Sequence, residues 1–119
     1  MIVLEKYLEG WRLGDGKMSL QATTPEFFYE DPNTGRIDRE HFVTFVEDFK
    51  SYVRELINGD LPDPFLTYTD LVIDRSESPH SAWCWWRATN TNFQGSALIK
   101  FSDAGVMSER IAYFSRLPA

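Results

Sequence analysis

The sequence predicts an α+β fold: a curved antiparallel sheet wrapped around N-terminal helices to form a cone with an internal pocket. Three observations carry this reading. Apolar residues recur at helical spacing only in the first half of the chain, as far as Leu56. The second half consists of short strand-like runs broken by turn residues, as in an antiparallel meander. Aromatic residues make up 15% of the chain, with four tryptophans, which suits a core or cavity built from large flat side chains. Helices followed by strands indicate α+β rather than a parallel α/β fold. The 119 residues show no repeat and no linker, so residues 1–119 are read as a single domain.

Each element has a local reason. In the segment 2–13, Leu4, Tyr7, Leu8 and Trp11 share one helical stripe, and Gly14 is the expected stop. A short helix is expected over about residues 17–23, ended by Pro25, and "EFFYE" then reads as a strand. The clearest element is a long helix whose stripe runs through Phe42, Phe45, Val46, Phe49, Tyr52, Val53 and Leu56. Asp38 is its candidate N-cap, Gly59 closes it, and "DLPDP" turns the chain. Strands follow in "FLTYTDLVID", "AWCWWRAT", "SALIKF" and "VMSERIAYFSRL". With the helices on the concave face of the sheet, the aromatic stripe of the long helix would line a cavity suited to a small apolar molecule.

Charge and composition exclude several classes. A net charge of −6 disfavours nucleic acid and anionic membrane surfaces. Cys84 is the single cysteine, so no internal disulfide forms and a reducing, cytoplasmic location is expected. No apolar run approaches the ~20 residues of a membrane span, and "MIVLEKYLEG" has acids within its apolar pattern and no leader-type cleavage site. His41 and His80 have no ligand spacing and no acid or cysteine cluster beside them, so no metal site is expected. Cys84 reads as a buried, inert thiol.

The stretch "PEFFYEDPNTG" at residues 25–35 raises the functional question. On a strand, Phe27, Tyr29 and Asp31 share one face, and Phe28 and Glu30 the other. Asp31 can then point into the cavity, where an apolar environment would raise its pKa and make it a base. The same residues also suit a tight turn in which Asp31 accepts backbone N–H groups. Tyr7, on the buried stripe of the first helix, needs a polar partner, and Asp31 could supply it. In "AWCWW", Trp83 and Trp85 face one way and Cys84 and Trp86 the other. A hairpin turn near residues 91–92 would set Trp86 opposite Ala97 and towards the cavity.

The motifs "YLEGWRLGD", "YEDPNTGR" and "KFSDAG…IAYFS" make the chain resemble the nuclear transport factor 2-like superfamily, from Ile2 to Arg116. That superfamily includes ketosteroid isomerases and SnoaL-like polyketide cyclases. The resemblance to the isomerases implies that Asp31 is a general base and that Tyr7, eight residues before Asp15, donates to an oxyanion. It also sets Ala97 where those isomerases carry a second acid, and Phe114 where an aromatic closes their pocket. The pocket so read is lined by Trp11, Phe27, Tyr29, Phe45 and Phe49, together with Tyr52, Trp86, Ala97, Ile99 and Phe114. The expected function is binding of a small apolar molecule. Cofactor-free proton abstraction next to a carbonyl, of isomerase, cyclase or dehydratase type, would be its catalytic form. The alternative is a non-catalytic ligand-binding or interaction domain. The resemblance further implies a homodimer through the sheet, covering whichever tryptophans lie outside.

Overall fold

The computed structural model describes residues 2–114. Helices α1 (Val3–Leu13), α2 (Gly16–Leu20) and α3 (Phe42–Ile57) precede most of a six-stranded sheet. Its strands are β1 (Thr23–Asp31), β2 (Gly35–Asp38), β3 (Leu66–Asp74), β4 (His80–Ala88), β5 (Gln94–Ser102) and β6 (Gly105–Tyr113). They lie in the order β2-β1-β6-β5-β4-β3. All neighbours are antiparallel except β1 and β6, which run parallel. The antiparallel expectation therefore needs one correction. β1 enters the sheet after a helical segment, and β2 occupies its other edge in a hairpin, so the last strand of the meander meets β1 in the same direction.

Helix α1 ends where its sequence says it should. Gly14 adopts φ 71°, and Asp15 N–H reaches back to the Gly10 carbonyl at 2.7 Å, a left-handed cap that glycine accepts without strain. Asp15 then caps α2 through Oδ1 and the Met18 N–H, 3.1 Å apart. The second helix stops at Leu20, and β1 begins at Thr23, earlier than "EFFYE" alone suggests. Helix α3 starts later than expected. Asp38 precedes a single 3₁₀ turn, Arg39–His41, and its carboxylate accepts from Arg36 rather than from a helical N–H. At the other end Asn58, not Gly59, takes the left-handed position, with φ 53°.

The β4–β5 hairpin turns about one residue earlier than expected, so Trp86 pairs with Gly95 and Cys84 with Ala97. A shift of two in the pairing sum preserves the face, and Trp86 still points inward. Gly95 is needed there: a Cβ would sit 1.9 Å from the Ala112 carbonyl oxygen and 3.0 Å from the Trp86 ring.

The concave side of the sheet and the inner faces of α1 and α3 share one aromatic core. Phe42 is fully buried among Tyr7, Trp11, Phe27 and Tyr29, with ring centroids 5.1–6.4 Å away. Among the described residues, no helix is long and apolar enough to cross a membrane.

Candidate functional site

A cavity of about 480 Å³ opens at the mouth of the cone. One wall is His41, just before α3, together with the face of α3 that presents Thr44, Phe45, Asp48, Phe49 and Tyr52 at helical spacing. The β1–β2 turn, through Asn33 and Thr34, forms a second wall, and Phe93 with Tyr113 a third. A second, much smaller void of about 10 Å³ lies deeper, bounded by Trp11, Tyr29, Leu66, Trp86, Glu109 and Ile111. Phe49 lines both spaces.

Asp31 ends β1 and is only 3% exposed. Its Oδ1 accepts from the N–H groups of Asn33 and Thr34, both at 2.7 Å. Its Oδ2 accepts from the Tyr29 hydroxyl at 2.9 Å and the Thr34 hydroxyl at 2.7 Å. Burial pushes the carboxyl up, but the bonds from Thr34, Tyr29 and Asn33 outweigh it and hold the pKa below the usual aspartate value. The result is a firmly ionised carboxylate that ties the strand to its turn.

Asp31→Ala strands the Tyr29 hydroxyl and two turn amides. It should therefore lower the unfolding free energy by about 2–3 kcal/mol in a urea titration at pH 7. The penalty should shrink on acidification. A depressed carboxylate contributes stability above its unfolded pKa and loses it as pH falls through the folded one. An unchanged denaturation midpoint would show that the turn forms without the carboxylate.

Tyr7 has a different partner. Its hydroxyl donates a hydrogen bond to Glu109 Oε1, and Trp11 Nε1–H donates to the same oxygen at 3.0 Å. Trp11 Nε1–H also approaches the Tyr7 oxygen at 3.3 Å. Tyr7 is fully buried and Glu109 is 3% exposed. Burial raises the Glu109 carboxyl to about 7, although the Tyr7 and Trp11 bonds pull it the other way. Burial and the neighbouring Glu109 also raise the Tyr7 phenol well above its usual value and push the Cys84 thiol up to about 12.

The structure thus brings Tyr7 together with Glu109, not with Asp31, and the two candidate catalytic groups belong to separate clusters. Phe45, Phe49 and the half-exposed Tyr52 line the mouth; Trp11, Tyr29 and Trp86 line the inner void. Phe27, Ala97 and Ile99 line neither space, because they are packed into the core beneath the helices. Phe114 is a correction of another kind. Adjacent strand residues face opposite sides, and Tyr113 takes the inward place, so Phe114 lies outside against Trp85, with rings 5.5 Å apart.

Sequence reasoning passed over Glu109 and Tyr113. The available signal was the alternation Glu109, Ile111, Tyr113, which sets one acid on an otherwise apolar face.

No protein-family model and no curated protein matches the chain, whereas solved structures do. A ketosteroid isomerase-like protein from Erwinia carotovora atroseptica superposes with a TM-score of 0.62 at 11% identity, over 96% of this chain and 92% of that one. A nuclear transport factor 2-like protein of unknown function from Cytophaga hutchinsonii gives 0.61 at 10% identity, over 93% and 86%. A protein with a cystatin-like fold from Methylobium petroleophilum gives 0.64 at 17% identity, over 98% and 76%. The chain has the nuclear transport factor 2-like, cystatin-like fold, as its motifs led one to expect.

Proposed function

We propose that this domain binds a small apolar molecule at the mouth of the cone. The observation that carries the reading is the cavity itself: about 480 Å³, walled by Phe45, Phe49, Phe93 and Tyr113, with no lysine or arginine among its lining residues. Such a lining suits a largely apolar ligand and offers no lysine or arginine to a phosphate or carboxylate, while its polar members His41 and Asp48 are exposed. Thr44 is exposed and borders the space, so Thr44→Trp would plug the cavity while leaving the core alone. The neutral dye Nile red should bind the wild-type protein, and the Thr44→Trp variant should bind it at least tenfold more weakly. Equal dye affinities would move the ligand site elsewhere.

Proton abstraction by Asp31, with Tyr7 as oxyanion donor, is the catalytic version of this reading, and the geometry supports it less. Four donors lower the proton affinity of Asp31, and the Tyr7 hydroxyl is already engaged. Binding without that chemistry fits better.

The homodimer belongs to the same reading. On the outer face Trp83 is 44% exposed and Phe114 72%, and Val72, paired with Trp83, is exposed as well. An apolar sheet face of this kind suits a second copy of the chain. Trp83→Glu combined with Phe114→Glu should convert a sedimenting dimer to monomer; a wild-type monomer would refute the pairing.

A further inference from the structure

Glu109 is a costly residue for its position. A buried carboxyl that served only to pack would lose little by being leucine, yet this one draws two donors from α1 onto a single oxygen, Oε1. Oε2 makes no hydrogen bond among the described residues. No fully enclosed side-chain nitrogen or oxygen there lacks a partner, so Oε2 is the atom that opens on the inner void. The void has room for roughly one water-sized group. Its other walls are the apolar surfaces of Trp11, Phe49, Leu66, Trp86 and Ile111, with Tyr29.

We propose that Glu109 receives the polar end of the ligand, its Oε2–H donating to a carbonyl or ether oxygen that reaches past Phe49 from the mouth cavity. The inference rests on the binding reading above and adds the chemistry of the ligand: an apolar body with a terminal hydrogen-bond acceptor. The proton's place follows from the donors. Two N–H and O–H groups on Oε1 mark it as the carbonyl-type oxygen, leaving the O–H on Oε2. Phe49 is the wall common to both spaces, so a ligand oxygen reaching the void from the mouth would pass its ring.

The groups facing Glu109 leave it the nearest one to titrate near neutrality. Tyr7 on α1, Tyr29 on β1, Tyr68 on β3 and Cys84 on β4 are all shifted upward by burial. Preference for an acceptor should therefore fade as Glu109 loses its proton above about 7.

The test compares 2-acetylnaphthalene with 2-isopropenylnaphthalene, in which a CH₂ replaces the carbonyl oxygen, by calorimetry at pH 6 and pH 8.5. A 13C label on the carbonyl reports its hydrogen bond directly by chemical shift. The wild-type protein should prefer the ketone about tenfold at pH 6 and lose most of that preference at pH 8.5. Glu109→Gln keeps an acceptor under Tyr7 and Trp11 and an N–H donor towards the void, so its preference should survive at both pH values. Glu109→Met should abolish it; if that variant does not fold, the Gln comparison alone decides. Equal binding of both probes at pH 6 would overturn the role of Glu109 while leaving the pocket intact. Binding of neither probe would overturn both readings.

Discussion

Replacing Glu109 with glutamine should flatten the pH dependence of stability between about pH 4.5 and 7. Burial raises the carboxyl from 4.5 to about 7 in the folded state. Between those values the folded chain holds a proton that the unfolded chain releases, so stability falls as pH rises and levels off above the folded pKa. The shift corresponds to a loss of roughly 3 kcal/mol across the window. Glutamine cannot ionise, and its carbonyl can take the place of Oε1 beneath Tyr7 and Trp11. The two proteins should be similarly stable at pH 4.5, and the variant should be the more stable at pH 8. Urea titrations at half-unit intervals measure this. Subtracting one profile from the other removes every group common to both. Parallel profiles would mean that Glu109 is not held protonated in the fold.

Phe42→Ala should cost about 3–5 kcal/mol, the range for deleting a fully enclosed aromatic ring. Phe42 stands at the first turn of α3, where α1 and β1 converge. Its ring meets Phe27 edge-on at 5.1 Å and Trp11 at 5.7 Å, and stacks on Tyr7 at 6.3 Å. None of these neighbours can move in to fill the hole without leaving another partner. The loss approaches the whole stability of many small domains. Phe45→Ala should cost clearly less, because its ring borders the open mouth and water can enter behind it. The ordering of the two variants in thermal unfolding checks the assignment of core against rim. A Phe42→Ala cost below that of Phe45→Ala would contradict it.

Everything written in local periodicity is legible in the sequence alone. The stripes of α1 and α3, the Gly14 stop and the division into helices then strands follow from residues three to five positions apart, where spacing alone decides the buried face. So does the turn after Asp31, whose Asn33–Thr34–Gly35 sequence already suited a carboxylate accepting backbone N–H groups. For Tyr7's partner, alternation grouped Glu109 with Ile111 and Tyr113 but did not say which way that face of the strand points. Glu109 lies 102 residues away on a strand whose facing depends on a bulge. Phe101 pairs with Val106 but Lys100 with Ser108, so the alternation slips at Met107 and turns Glu109, Ile111 and Tyr113 inward. Without that slip the strand that buries Val106 would bury Arg110 instead. A bulge arises from hydrogen bonding between strands, which no single strand records. The helices and the aromatic wall are therefore properties of the sequence by itself, whereas the acid at the end of the cone exists only because β5 and β6 met in one register.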